Sequence, residues 1–282
     1  MSARIELRHV SKVYGDDPHR ALTLLAQGAD KHQVLADTGS HVGLYDVSLS
    51  IPAGGIYAIM GLSGSGKSTL VRHINRLIDP SAGQVLVDGE DVLGFSAARL
   101  RDLRRRRISM VFQHFGLLPH RTVLENVAFG RRVRGESRRN AQAAAQGWLA
   151  RVGLSGHERD YPDHLSGGMR QRVGLARALA SDTDILLMDE PFSALDPLLR
   201  DDLQSQLLTL QAELGKTIVF ITHDVEEAFR LGQRIALLRD GRLVQEGEPA
   251  AVRAAPVDDY VARFVARVSG ADVPRSTGSA PG

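Results

Sequence analysis

The stretch Gly61-Leu62-Ser63-Gly64-Ser65-Gly66-Lys67-Ser68 follows the apolar run Ile56-Tyr57-Ala58-Ile59-Met60 directly and leads into Thr69-Leu70-Val71-Arg72-His73-Ile74-Asn75. A short strand, a glycine-rich loop closing in Lys-Ser and a helical pattern are the parts of a phosphate-binding loop. Glycines at 61, 64 and 66 let the backbone turn tightly and approach closely, so that successive N–H groups aim at phosphate oxygens and the following helix adds its positive end. Lys67 supplies a mobile charge for β- and γ-phosphates, and Ser68 a hydroxyl for Mg²⁺. Glycine-rich loops also make plain turns, so the rest of the chain has to decide.

Composition narrows the choice. The 282 residues are 43% hydrophobic, ordinary for a globular protein with a sizeable core. A formal charge of +2 does not argue for nucleic acid. Cysteine is absent, which removes disulfides and thiolate metal sites and fits a reducing cytoplasm. No run reaches the roughly 18 apolar residues that cross a bilayer, and Met1-Ser2-Ala3-Arg4 lacks a signal-peptide pattern. A membrane role must therefore come through partners.

In chain order, Arg4 to Tyr14 alternates apolar and polar residues and reads as an edge strand ending at Gly15. Residues 16–42 read as a helical insert: Asp17-Pro18 opens one helix, and Asp30 with Gln33 makes a capping box for a second that closes at Gly39. Sheet resumes at Val47 to Ile51. Asp88-Gly89 is a hairpin turn pair and points to antiparallel structure beside the core. Ser96 caps a helix ending in Arg104-Arg105-Arg106-Arg107, which reads as a solvated helix end rather than a dedicated anion patch.

Ile108 to Phe112 is a short buried strand ending at Gln113. Residues 115–180 form a helical lobe, in which Ala141, Ala144, Trp148, Leu149 and Val152 share one face and Trp148 is core packing. Leu165-Ser166-Gly167-Gly168-Met169 opens its last helix. The run Ile185 to Met188 delivers Asp189 and Glu190 to a strand's carboxyl end, where ligands bind in open α/β sheets. Asp196-Pro197 starts a patterned helix, Ile218 to Thr222 ends at His223, and Asp224 and Glu227 cap the next helix. Ile235 to Leu238 and Leu243 to Gln245 flank Asp240-Gly241 as a hairpin. A last helix reaches Val268, and residues 269–282 read as a disordered tail.

Five motifs in one order, the phosphate loop, Gln113, Leu165 to Met169, Asp189-Glu190 and His223, make the chain resemble the ATP-binding subunit of an ABC transporter over residues 4–268. The resemblance implies an α/β P-loop NTPase core with a mainly parallel sheet, an antiparallel β subdomain and an inserted α-helical subdomain. Met169, which stands where most of the superfamily has Gln, the insert at 16–42, the run Gly61 to Thr69 and Phe192-Ser193-Ala194-Leu195-Asp196-Pro197 look like the bacterial importers of glycine betaine, proline betaine and choline.

That resemblance implies roles beside the chemistry of the residues. Gly61, Ser63, Gly64, Ser65, Gly66, Lys67, Ser68 and Thr69 would hold the ATP phosphates, with Mg²⁺ on Ser68, Gln113 and Asp189. Glu190 would orient or deprotonate the attacking water, although an acidic pair after a strand is often only a helix N-terminus. His223 would contact the γ-phosphate; a lone histidine is usually just packed. Gln113 would report metal and water to the membrane partner, or is a polar residue at a strand end. Tyr14 would stack on adenine, or is a surface tyrosine. Ser166, Gly167 and Gly168 would close over nucleotide bound to a second copy of the chain in an ATP-sandwich dimer, and Asp196 would communicate across that interface.

The implied partners are that second copy, integral membrane permease subunits and, indirectly, an extracytoplasmic substrate-binding protein, with the chain peripheral on the cytoplasmic face of the inner membrane. Many quaternary-amine importers carry a paired regulatory module after the core; the chain ends some fifteen residues after its last helix, so osmotic gating through such a module is not expected. The competing readings are an ATPase for methionine or another amino acid, and a soluble ABC protein of DNA repair or translation. The latter would show two cores or a long coiled coil, and neither is seen. A P-loop kinase leaves Leu165 to Met169 unexplained.

Overall fold

The computed structural model describes residues 3–112, 116–193 and 195–266, so Gln113 and the expected tail at 269–282 lie outside the described residues. β1 (Ala3–Tyr14) runs into α1 (Pro18–Ala26) and α2 (Lys31–Thr38), and the chain returns as β2 (His41–Pro52). Asp30 accepts from the His32 and Gln33 N–H groups while Gln33 accepts from the Asp30 N–H, and Gly39 closes α2 in the left-handed region. Sheet therefore resumes at His41, six residues before the apolar cluster at Val47. β3 (Gly55–Met60) then leads through the phosphate loop into α3 (Lys67–Ile74).

β4 (Ala82–Val87) and the two-residue β5 (Glu90–Asp91) are joined by Asp88-Gly89, both with positive φ as a hairpin turn of this kind requires. α4 (Ala97–Arg106) ends in the arginine run, which is not a simple solvated end. Arg104 donates to the Asn75 carbonyl at the end of α3, Arg106 pairs with Asp102, and Arg107 pairs with Asp88 and Asp184. β6 (Ile108–Val111) follows, then α5 (Val123–Val133), α6 (Arg138–Arg151) and α7 (Gly167–Ala180). The buried stripe of α6 is Ala141, Ala145 and Leu149, a strict four-residue repeat that takes Ala145 rather than Ala144. Trp148 is half-buried beside that stripe and packs on both the lobe's core and the main core.

β7 (Ile185–Asp189), α8 (Pro197–Leu214), β8 (Thr217–Thr222), α9 (Val225–Leu231), β9 (Arg234–Arg239), β10 (Arg242–Gly247), α10 (Pro249–Ala254) and α11 (Asp259–Ala266) complete the described chain. The larger sheet is six-stranded in the order β10-β9-β3-β8-β7-β6, parallel except for β10. The smaller is antiparallel, β2-β1-β4-β5. β1 is thus interior, paired with β2 on one side and β4 on the other, and not the edge strand its alternation suggested. Alternation records one buried face; it carries no information about lateral neighbours.

The central strands divide their side chains between two cores by parity. Ile56, Ala58 and Met60, with Leu186, Met188, Ile218 and Phe220, pack under α7, α8 and α9. Tyr57, Ile59, Ile185, Leu187, Val219 and Ile221 pack instead against Ile5, Leu7, Leu49 and Val85 of the antiparallel sheet. Burial on both faces explains why those runs are continuously apolar. A third core, including Val127, Ala145, Leu149 and Val173, holds α5, α6 and α7 together, and a fourth, around Ala21, Leu25 and Val34, seats the insert on β1 and β2.

Candidate functional site

Strand register assembles the site. Met60 pairs with Thr222 and Asp189 with Ile221, so β3, β7 and β8 end together and release Gly61, Glu190 and His223 along one carboxyl edge. The loop after β3 needs glycine at three places, for two different reasons. A Cβ on Gly61 would stand 2.7 Å from Ser65 Oγ, and one on Gly66, at φ +99°, would stand 2.6 Å from the Gly43 carbonyl. Gly64, at φ +78°, faces open space and is required by its backbone alone. From behind, the β9–β10 turn supports the loop, the Gly241 N–H donating to the Ser65 carbonyl at 3.0 Å.

Inside the loop, Lys67 is only 4% exposed and donates to the carbonyls of Gly61 (2.8 Å) and Leu62 (3.0 Å). Burial pushes its amine down from the usual lysine range, while the carboxylates of Glu190 and Asp189 pull it back up. Ser65 Oγ is buried with no hydrogen-bond partner, whereas Ser63 and Gly64 are exposed at the loop tip. The Asp189 carboxylate is fully buried; its Oδ1 accepts from Ser68 Oγ at 2.9 Å and its Oδ2 from Arg72 Nη2 at 3.1 Å. Arg72 was not among the residues singled out in the sequence. Its position four residues after Ser68, on the same face of α3, was the available signal.

Glu190 sits at φ +47°, a conformation uncommon for a residue with a side chain, and its N–H is tied to the Ile221 carbonyl at 3.1 Å. The side chain points along the edge so that Oε2 stands 3.2 Å from His223 Nδ1. Tyr14, at the end of β1, is 41% exposed; its hydroxyl lies 3.4 Å from Thr69 Oγ1 and Lys12 Nζ sits 5.1 Å from the ring centre. That leaves much of the ring open to solvent beside the loop.

Ser166, Gly167 and Gly168 belong to a different element. The exposed Ser166 caps α7, its hydroxyl accepting from the Met169 N–H at 3.2 Å. Gly168 is glycine because Leu199 of α8 lies where a Cβ would be, while Gly167 opens on solvent. The expected capping role of Glu227 is not found. Asp224 alone caps α9, and Glu227 turns inward to accept from the Thr222 hydroxyl at 2.6 Å, because that hydroxyl already takes the Asp224 N–H.

The donor chemistry fits what the motifs call for. A hydroxyl and a buried carboxylate at hydrogen-bond distance are oxygen ligands of the kind a hard divalent cation takes. A glycine cradle with an orphaned buried hydroxyl and an amine resting on loop carbonyls has donors to offer phosphate.

A family model described as ABC transporter matches residues 44–193. The chain belongs to the ABC transporter family. Within that family it is 52% identical over 264 residues to the glycine betaine/proline betaine transport system ATP-binding protein ProV of Escherichia coli strain K12, a match covering 94% of this chain and 66% of ProV. The chain thus spans just under two thirds of that relative's length. It is 49% identical over 269 residues to the trimethylamine N-oxide transport system ATP-binding protein TmoW of Ruegeria pomeroyi, covering 95% of this chain and 79% of TmoW. The ATP-binding cassette MJ0796, solved as a dimer in a post-hydrolysis state bound to ADP and Pi, superposes with a TM-score of 0.75 at 33% identity, covering 87% of this chain and 98% of that one. The mixed sheets and helices described above are the ABC ATPase fold.

Proposed function

We propose that the chain is the ATP-binding and ATP-hydrolysing subunit of an importer for quaternary amine osmolytes such as glycine betaine, proline betaine, carnitine or choline. The observation that carries the reading is the pair of adjacent carboxylates after β7. Buried Asp189 is held by Ser68 and Arg72, while Glu190 is turned away from it toward His223. Two neighbouring acids in such different surroundings suit two tasks.

Lys67 exchanges its loop carbonyls for the β- and γ-phosphates, and the amides of Gly61 to Thr69 surround them. Ser68 and Asp189, with Gln113, would hold Mg²⁺, which when bound would supply neutralisation of phosphate charge. Glu190 orients the attacking water and accepts its proton, and His223 fixes that geometry at the γ-phosphate. The exposed ring of Tyr14 stacks on adenine. Ser166, Gly167 and Gly168 of one copy close on the nucleotide of another, and Asp196 links the two. Gln113 and the helical lobe at 115–180 pass closure to integral membrane permease subunits, which receive solute from an extracytoplasmic substrate-binding protein. As a subunit of such a transport system the chain sits peripherally on the cytoplasmic face of the inner membrane. Among the described residues no helix is long and apolar enough to cross a membrane.

Likeness to TmoW favours a second substrate reading, trimethylamine N-oxide, on the same machinery. The test is ATP-dependent uptake into vesicles containing this chain and its permease, with betaine, choline, carnitine, trimethylamine N-oxide and methionine compared in parallel. Uptake of a quaternary amine is expected; uptake of methionine alone overturns the substrate assignment.

A further inference from the structure

His223 and Asp196 lie in turns that follow different strands, and one side chain grips the flanks of both. Arg200 sits one turn into α8, its N–H bonded to the Asp196 carbonyl at 3.0 Å. Its guanidinium donates from Nη2 to the Leu195 carbonyl (3.4 Å) and from Nη1 to Asp224 Oδ2 (3.2 Å). Nε is buried, makes no hydrogen bond, and lies 3.7 Å from Glu227 Oε1. That separation is an ion pair with slack, since a charge-assisted hydrogen bond closes at about 2.7–2.9 Å.

Asp224 and Glu227 in turn enclose the histidine's backbone. Glu227 accepts from the Thr222 hydroxyl, that hydroxyl accepts from the Asp224 N–H at 2.9 Å, and Asp224 Oδ1 accepts from the Glu226 N–H at 2.9 Å. His223 is therefore mounted between two residues locked into the same network. A cavity of about 30 Å³ between them is lined by Glu190, Ser193, Arg200 and His223 among others, so the groups have room to close up. Burying a carboxylate such as Glu227 is costly, and burial pushes its carboxyl up from the usual range; the Thr222 hydroxyl and the Arg200 guanidinium oppose that. A helix cap would place Glu227 on the Asp224 N–H in water, so its inward position calls for another use.

We propose that Arg200 is a positioning residue that passes the placement of the Asp196 turn to His223 through its grip on Asp224 and Glu227. The proposal rests on the reading of Glu190 and His223 as hydrolytic machinery and adds to it the route by which a closing Asp196 turn sets that machinery. Where the Asp196 turn sits sets the start of α8 and with it Arg200, and the Arg200 contacts to Asp224 and Glu227 set the Thr222 to Asp224 segment, which holds the imidazole at its 3.2 Å from Glu190.

The test uses the full chain with R200Q, R200K, E227Q and the R200Q/E227Q double variant. ATP hydrolysis, binding of a non-hydrolysable ATP analogue and the ring signal of His223 in ¹⁵N-histidine-labelled protein, assigned with H223Q, are measured together. R200Q is expected to lower kcat by about tenfold or more while KM and analogue affinity stay within about twofold, because only positioning is lost. Its His223 ring signal shifts, R200K recovers part of the rate, and the double variant is no slower than the slower single one. An unmoved ring signal overturns the proposal, as do multiplicative rate losses in the double variant. If R200Q fails to fold, R200K and E227Q carry the same comparison. Absence of hydrolysis by the unmodified chain would sink the functional reading instead, leaving the ring shift to report on the linkage alone.

Discussion

Ser68 and Asp189 are 121 positions apart in the chain, and a 2.9 Å hydrogen bond joins them. Parallel strands β3 and β7, separated in the sheet by β8, make that possible by ending at the same height. The bond matters because, in the function proposed above, the hydroxyl and the carboxylate so placed offer their oxygens to one cation. In Asp189→Asn the amide oxygen still accepts from Ser68, but the charge facing Arg72 and any cation is gone. The stimulation of ATP binding by Mg²⁺ should fall at least about tenfold, for the roughly 1.4 kcal/mol that even a modest cation contact contributes. Calorimetric titration of ATP with and without Mg²⁺ checks this; equal stimulation in both proteins would remove Asp189 from the metal site.

Glu190 is expected to separate binding from turnover. Glu190→Gln keeps the size of the side chain and a hydrogen-bonding group beside His223 but cannot take a proton. Phosphate release should drop by about 10²–10⁴-fold, the span typical of a lost general base, with ATP affinity unchanged. ATP with Mg²⁺ should then accumulate a species of twice the mass, read by size exclusion with light scattering. Hydrolysis at the unmodified rate is the outcome that excludes Glu190.

Tyr14 distinguishes ring from hydroxyl. Its hydroxyl contact with Thr69 is long, at 3.4 Å, so Tyr14→Phe should leave ATP affinity within about twofold. Tyr14→Ala removes the open aromatic face and should weaken binding by about 1–3 kcal/mol, roughly 5- to 150-fold, if adenine stacks there. Fluorescent-nucleotide titration separates the two variants. Equal affinities for Phe and Ala would return Tyr14 to the status of a surface residue.

What could be read in the residues divides by physical kind. Local chemistry was legible: the Asp30–Gln33 capping box, the turns at Asp88-Gly89 and Asp240-Gly241, and the apolar runs before Asp189 and His223 all depend on a few neighbours in sequence. Relations between elements were not. The interior place of β1 depends on which strands lie beside it, and a strand's own alternation is the same at an edge or within. The choice of Ala145 over Ala144 depends on where α5 and α7 lie against α6. Arg72 looks like an ordinary charge on a helix surface until β7 brings Asp189, and Glu227 like a helix cap until the strand end brings Thr222.

Glu227 gives stability a pH dependence whose sign follows from its burial. Its carboxyl is pushed above the ordinary value of 4.5 in the folded chain, with desolvation the leading cause and Asp224 adding to it, against Thr222, Arg200 and His223. An acid with a raised folded value keeps its proton over a window in which the unfolded chain has lost it. The folded chain then binds more protons than the unfolded one, so this contribution to stability is present below pH 4.5 and is lost as pH rises through the raised value. Glu227→Gln has no proton to lose and can still accept from the Thr222 hydroxyl. The unfolding free energy of the unmodified chain minus that of the variant should therefore decline with pH above the ordinary carboxyl range, by at most about 1.4 kcal/mol per pH unit, and level off once Glu227 is ionised in both states. Urea titrations of both proteins across mildly acidic to neutral pH measure the difference. A gap that widens in favour of the unmodified chain as pH rises would mean that Arg200 outweighs desolvation, and that the carboxylate is held ionised at all of these pH values.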